Sequence, residues 1–120
     1  MNQQVKEVNV TDAYEMINRG AILVDIREWE EIEIIAFDIE NYIMLPQSEL
    51  SQRFFELPTD KVIIVGCRTG RRSLEVARFL IRHNFNAVYS LGGGIVAWHE
   101  IGLPVEWDRC ITQSFPQTQT

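Results

Sequence analysis

One short segment of the chain combines a potential nucleophile with a cluster of positive charge. It reads Gly66-Cys67-Arg68-Thr69-Gly70-Arg71-Arg72-Ser73 and holds one thiol, three guanidinium groups and no acid. The whole chain has 17 acidic and 11 basic residues, for a net charge of -6, so this local excess of positive charge is an exception. Arginines near a cysteine favour its thiolate, which is the nucleophilic form. The segment is therefore the first candidate for a catalytic site.

The elements on either side of the segment indicate what the charge could bind. The run Lys61 to Gly66 is continuous and β-branched, which predicts a buried strand. Apolar residues share one helical face from Arg72 to His83, which predicts a helix. Arg71 and Arg72 then lie at a helix N-terminus, where the macrodipole disfavours each cation by roughly 0.3–1 kcal/mol. A bound anion would reverse that cost, because free N–H groups and guanidinium groups would converge on it.

Three alternative roles fit the residues of this segment less well. A phosphate-binding P-loop has four residues between its glycines and then Lys followed by Ser or Thr, whereas three residues separate Gly66 from Gly70 and arginines follow. A zinc site needs clustered ligands, but Cys67, His83, His99 and Cys110 are scattered. A free cysteine is often a small buried residue that ends a strand. The arginines, the glycine and the helix start together favour a reactive thiol, with no metal and no cofactor.

The rest of the chain alternates strand-like runs with helical patterns, which predicts an α/β fold with a mainly parallel sheet. The predicted strands are 5–10, 21–25, 39–45, 61–66 and 86–91. The predicted helices are 12–20, 28–32, 48–55, 72–83 and a last one from the triple glycine to about residue 102. The pattern is weakest from Ile34 to Leu45. We expect one domain over residues 1–106 and a polar C-terminal tail over residues 107–120.

Composition narrows the range of partners and compartments. A net charge of -6 and a pI near 4.9 argue against broad binding to nucleic acid or to an anionic membrane. The chain has no run of 18 apolar residues and no signal-peptide pattern near its start, so no membrane span is expected. Its two cysteines, Cys67 and Cys110, are too few for a secreted disulfide scaffold, and we expect a cytoplasmic protein with reduced thiols. The oligomeric state stays open.

Four segments in this order resemble the rhodanese-like family, over about residues 5–105. They are Leu23-Val24-Asp25-Ile26-Arg27-Glu28, the loop from Cys67 to Ser73, Leu91-Gly92-Gly93-Gly94 with Trp98, and Gly102-Leu103-Pro104. The resemblance implies a rhodanese-like three-layer fold, in which helices flank a five-stranded, mainly parallel sheet. It also implies that the active-site loop follows the fourth strand of that sheet.

The same resemblance implies a sulfurtransferase that works through a persulfide on Cys67. The donor would be a small anion such as thiosulfate, and the acceptor a thiol, on a small molecule or a protein, or cyanide. Backbone N–H groups along the loop would hold the outer sulfur, and its arginines would attract the donor, with Arg71 the one expected to face outward. The implied substrate-binding residues are Arg68, Thr69, Gly70, Arg71, Arg72 and Ser73. Asp25 and Arg27 would support the loop through a buried polar contact.

Alternatives to this function stay open. The family fold also resembles that of cell-cycle dual-specificity phosphatases, whose loop has five residues between Cys and Arg, whereas four separate Cys67 from Arg72. A phosphatase or an arsenate reductase is therefore less favoured, and the intact cysteine loop argues against a non-catalytic interaction module. Residues 36–41 also depart from the family's Gly-His-Ile-Pro-Gly-Ala stretch. Cys110 is expected to be a spectator or else a resolving thiol, and Trp98 is expected in the core.

Overall fold

The computed structural model describes residues 5–108, and at its centre is a parallel sheet whose three middle strands are mostly buried. Its strands are β1 (Lys6–Val8), β2 (Ile22–Asp25), β4 (Tyr42–Met44), β5 (Ile63–Gly66) and β6 (Val88–Leu91). They lie side by side in the order β1-β6-β5-β2-β4, and every neighbouring pair is parallel. The predicted α/β fold with a five-stranded parallel sheet is confirmed.

Helices cover both faces of this sheet. They are α1 (Val10–Asn18), α2 (Trp29–Ile34), α3 (Leu50–Arg53, between 3₁₀ turns at Gln47–Glu49 and Phe54–Glu56), α4 (Arg71–Arg82) and α5 (Gly94–Glu100). Successive strand side chains point to opposite faces, so Val65 packs in one core with α4 while Ile64 packs in the other with α1 and α5. Trp98 is fully buried in this second core, as expected. Within residues 5–108 no helix is both long and apolar enough to cross a membrane.

A second, smaller sheet was not predicted from the sequence. It pairs β3 (Ile35–Phe37) with β7 (Val105–Trp107) in antiparallel register, and the N–H of Asp108 donates to the carbonyl of Ile34 at 2.9 Å. Strands of three residues are too short to show an alternating pattern. The strand predicted over residues 39–45 is shorter in the structure, where β4 spans only Tyr42–Met44. The small sheet brings the end of the described chain beside the C-terminal end of α2.

Candidate active site

Cys67 lies directly after β5, in the turn that leads into α4. Its side chain is buried, with 1% of the residue exposed, and its Sγ accepts a hydrogen bond from the N–H of Gly70 at 3.0 Å. Gly70 has φ +103°, a left-handed conformation that costs glycine little. The first N–H groups of α4 have no partner within the helix, and the helix macrodipole adds positive potential there. This arrangement stabilises negative charge on the sulfur of Cys67.

The N-terminal end of α5 supports the same loop from the other side. The N–H groups of Ile95 and Val96 donate to the carbonyls of Cys67 and Arg68, at 2.9 and 3.1 Å. So close an approach requires a glycine at the start of α5, because a Cβ on Gly94 would collide with the backbone of Arg68 and Cys67. The last residue of the triple glycine therefore allows the loop and α5 to touch.

Ser73 supports the loop with its side chain instead of presenting it to solvent. It is fully buried, and its hydroxyl donates to the carbonyl of Gly70 at 3.1 Å and lies 2.6 Å from the hydroxyl of Ser90 on β6. Thr69, in contrast, is exposed. Of the residues predicted to bind the donor, Ser73 can thus contribute its backbone N–H but not its hydroxyl.

The three loop arginines differ in their surroundings. Arg72 makes a two-pronged ion pair with Glu31 of α2, with N–O distances of 3.0 and 2.8 Å. The hydrogen bonds from Arg72 lower the pKa of Glu31, and those to Glu31 raise the pKa of Arg72. Arg68 and Arg71 are exposed and make no ion pair with any residue between 5 and 108. The guanidinium of Arg72 thus already has a carboxylate partner, and its predicted role in binding the anionic donor stays a prediction.

Asp25 and Arg27 form a buried pair at the C-terminal end of β2, next to β5. The guanidinium of Arg27 donates to both carboxylate oxygens of Asp25, at 3.0 and 2.8 Å, and the hydroxyl of Tyr42 donates to the same carboxylate at 2.6 Å. Burial alone would lower the pKa of Arg27, but the hydrogen bonds and charge of Asp25 outweigh it, and the pKa is raised. Burial, followed by the charge of Asp25, raises the pKa of Tyr42. These groups form a fixed polar support beneath the site.

A mostly apolar groove of about 410 Å³ opens beside the loop. Its lining includes Arg68 of the loop, Ile34 of α2, Val96 of α5 and Trp107 of the small sheet. These last three residues have exposed fractions of 54% (Trp107), 61% (Ile34) and 38% (Val96). The remaining lining residues are Arg27, Glu31, Ile35, Ile95, His99 and Glu100. We call this space the Arg68–Trp107 groove.

The other residues singled out from the sequence contribute less to the site. His83 stacks on Phe79 with ring centroids 4.1 Å apart, at the far end of α4. Cys110 lies outside the described residues. In the part of the chain that the structure describes, no three His, Cys, Asp or Glu side chains form a possible metal site. Sequence reasoning missed Glu31 and Tyr42, whose partners are 41 and 17 residues away.

Comparisons with known proteins agree with this geometry. The family model described as Rhodanese-like domain matches residues 9–101. A protein named sulfurtransferase from Allochromatium vinosum is 34% identical over 103 residues, which cover 82% of this chain and 94% of that protein. The thiosulfate sulfurtransferase GlpE of Haemophilus influenzae is 36% identical over 105 residues, which cover 84% and 94%.

Solved structures agree as well. The crystal structure of a rhodanese-related protein from Thermoplasma volcanium has a TM-score of 0.76 and 34% identity, over 84% of this chain and 97% of that one. The polysulfide-sulfur transferase homodimer of Wolinella succinogenes has a TM-score of 0.76 and 25% identity, over 85% and 78%. Fold, loop and sequence similarity all lead to one assignment: the chain belongs to the rhodanese-like domain family.

Proposed function

We propose that the chain is a thiosulfate sulfurtransferase-like enzyme that carries sulfane sulfur as a persulfide on Cys67. The Cys67 thiolate attacks the outer sulfur of a small anionic donor such as thiosulfate. The S–S bond of the donor breaks, and sulfite leaves with its electron pair. A thiol or cyanide then takes the outer sulfur and releases Cys67 as a thiolate. No oxidant, reductant or cofactor is needed, because the sulfur is only passed on.

The observation that carries this proposal is the hydrogen bond from the Gly70 N–H to the Cys67 Sγ at the start of α4. A persulfide keeps negative charge on its outer sulfur, and the backbone N–H groups of the helix start are the donors suited to that charge. Hydrogen bonds to a charged acceptor contribute about 1.5–3 kcal/mol each. The loop is also short, and a single sulfur atom needs less room than a phosphate with three free oxygens.

The charges around the loop support an anionic donor. Arg68 and Arg71 are exposed beside Cys67 and have no carboxylate partner among residues 5–108. Both can attract a dianion from solution, whereas Arg72 acts through its pair with Glu31. The names of the Haemophilus and Allochromatium relatives, thiosulfate sulfurtransferase and sulfurtransferase, favour the same donor class. A reducing compartment such as the cytoplasm would keep Cys67 as a free thiol.

The test is to treat the protein with thiosulfate and measure both its mass and its turnover with cyanide. We expect one sulfur on Cys67 and formation of thiocyanate, with both lost in Cys67→Ser and both kept in the exposed-site control Phe55→Ser. An unmodified Cys67 across several sulfane donors would contradict the proposal. Faster turnover of phosphate esters or arsenate than of thiosulfate would point instead to the phosphatase or reductase alternatives.

A further inference from the structure

Ser90 is a polar side chain in an apolar part of the core, near the C-terminal end of β6. It is fully buried, and Val65 of β5 is its partner in the register of the sheet. Val88, two residues before it on the same face of the strand, belongs with Val65 to the core that α4 covers. A hydroxyl buried among such residues costs free energy unless it makes a hydrogen bond. The partner of Ser90 therefore indicates what a serine contributes at this position.

That partner is the hydroxyl of Ser73 on α4, and the two oxygens lie 2.6 Å apart. Ser73 already donates its proton to the carbonyl of Gly70, at 3.1 Å. A hydroxyl has a single proton to donate, so Ser90 is the donor in the contact between the two serines. The bonds therefore run from Ser90 to Ser73 and from Ser73 to Gly70.

Gly70 connects the two serines to the nucleophile. Its carbonyl accepts the bond from Ser73, while its N–H donates to the Sγ of Cys67 at 3.0 Å. A glycine has no Cβ to restrict its backbone, so its orientation depends on the contacts made to it. The bond from Ser73 to the Gly70 carbonyl is such a contact, and it helps to keep the N–H of the same residue directed at the sulfur.

The end of β6 also lies close against the backbone of Gly70. A Cβ at position 70 would be 3.2 Å from the backbone nitrogen of Gly93 and 3.4 Å from the carbonyl oxygen of Leu91. Leu91 directly follows Ser90 in the chain. One short segment thus approaches Gly70 through its backbone and, by way of Ser73, through the hydroxyl of Ser90.

We propose that Ser90 is a positioning residue for sulfur transfer, which acts through Ser73 to hold the Gly70 N–H on the sulfur of Cys67. This inference rests on the proposed function. When the acceptor takes the outer sulfur, the S–S bond on Cys67 breaks and its electron pair stays on the Sγ. The Gly70 N–H stabilises the thiolate that forms, and a better stabilised thiolate leaves faster. Ser90 therefore matters most in the step that unloads the persulfide.

The loading step depends less on Ser90. In that step the Cys67 thiolate is the nucleophile, and a less stabilised thiolate is scarcer but more reactive, so the two effects partly offset each other. Both serines are fully buried, so their hydroxyls do not meet a donor that arrives from solvent. Loss of the Ser90 hydroxyl should thus slow one half of the reaction, whereas a general loss of folded protein would slow both.

The test measures the two half-reactions of Ser90→Ala by steady-state kinetics, with thiosulfate as donor and cyanide as acceptor. In a two-step transfer, kcat/KM for thiosulfate reports loading and kcat/KM for cyanide reports unloading. Because a small displacement of a stabilising group reduces the rate, we expect kcat/KM for cyanide to fall about fivefold. We expect kcat/KM for thiosulfate to stay close to that of the wild type.

Val88→Ala is the matched control on the same face of β6. It shortens a buried side chain but leaves both serine hydroxyls in place. The variant should be less stable than the wild type, and at a temperature where it is fully folded it should keep both values of kcat/KM.

A double-mutant cycle tests whether Ser90 acts through Ser73. Ser73→Ala removes the link between Ser90 and Gly70, and it should lower kcat/KM for cyanide at least as much as Ser90→Ala does. Adding Ser90→Ala to Ser73→Ala should then have no further effect, because substitutions within one hydrogen-bond network are not additive.

Four results would overturn the inference. They are wild-type kinetics in Ser90→Ala, an equal loss of kcat/KM for both substrates in that variant, the same selective loss in Val88→Ala, and an undiminished effect of Ser90→Ala in the Ser73→Ala background. A wild type that forms no thiocyanate would instead mean that the proposed function has failed.

Discussion

Arg72 and Glu31, which lie 41 residues apart in the sequence, join two helices through bonds from both terminal nitrogens of the guanidinium to both carboxylate oxygens. Arg72 is the second residue of α4, close after the turn that holds Cys67, and Glu31 belongs to α2. A bidentate pair fixes orientation as well as distance. The pair therefore sets how the Cys67 loop sits against the wall of the Arg68–Trp107 groove.

Glu31→Gln should lower kcat/KM for thiosulfate about tenfold, because small errors in the position of a reacting group reduce its effective concentration. The loss of stability should be small, about 0.5–1 kcal/mol, since roughly a third of each side chain is exposed. Steady-state kinetics and thermal melting measure the two effects. Glu56→Gln removes a comparable ion pair with Arg53 away from the site and should leave kinetics unchanged. Equal kinetics in both variants would argue against a positioning role.

The same pair predicts a pH dependence of stability. The folded-state pKa of Glu31 is lowered from its ordinary value of 4.5. The stabilisation that the ionised Glu31 side chain gives the folded state is therefore complete above about pH 5, and it is lost as the pH falls through the folded-state pKa. The difference in unfolding free energy between wild type and Glu31→Gln should be constant from pH 7 to about pH 5 and shrink below that. Urea titrations across this range measure it, and a difference that grows in acid would contradict the assignment.

Gly94→Ala should be far more harmful than Gly20→Ala. Both glycines have positive φ, +60° and +114°, and a Cβ on Gly20 would meet nothing within 4 Å. Replacing Gly20 should thus cost only backbone strain, about 1–2 kcal/mol. A Cβ on Gly94 would push against the backbone of Arg68, so this variant should lose about 2 kcal/mol more, together with its sulfur transfer. Chemical unfolding measures the loss of stability in each variant. Equal losses would show that the Cys67 loop tolerates a Cβ at position 94.

Two substitutions among the buried residues Asp25, Arg27 and Tyr42 should lower the free energy of unfolding by different amounts. Tyr42→Phe removes one hydrogen bond to a carboxylate that Arg27 still neutralises, and we expect a loss of about 1.5–3 kcal/mol. Asp25→Asn leaves the buried Arg27 without its counter-charge, and this should cost about 3–5 kcal/mol. Urea unfolding at neutral pH gives both values. The opposite order would mean that Arg27 finds another partner in the variant.

Arg68→Gln should raise the KM for thiosulfate severalfold and reduce its dependence on salt. We expect the exposed guanidinium beside Cys67 to attract the dianion through a field that ions screen over about 8–10 Å. Arg82→Gln removes the same charge at the far end of α4 and serves as the control. Steady-state kinetics at low and high ionic strength compare the two variants. The same KM and the same salt dependence in both would show that Arg68 does not take part in donor binding.

Local features of this fold could be predicted, while features built from distant residues could not. Cys67, its arginines and the following helix lie in one continuous segment, so their proximity follows from chain order alone. Glu31 lies in the first turn of α2, and its carboxylate accepts a hydrogen bond from the nearby backbone N–H of Glu28. Its bond to Arg72 depends on how α2 packs against α4. The β3–β7 sheet was not predicted for a related reason. Each of its strands has only three residues and is held in place by hydrogen bonds to the other, which lies far away in the sequence.

The bonds from Ile95 and Val96 to the carbonyls of Cys67 and Arg68 have a consequence for engineering this enzyme. Lengthening the loop by one residue, to hold a larger oxyanion, would move these carbonyls away from α5 and leave two N–H groups without acceptors. The dimensions of the binding site are thus encoded partly in the triple-glycine turn, which lies well downstream of the loop in the sequence. A redesign of substrate size would have to change both segments together.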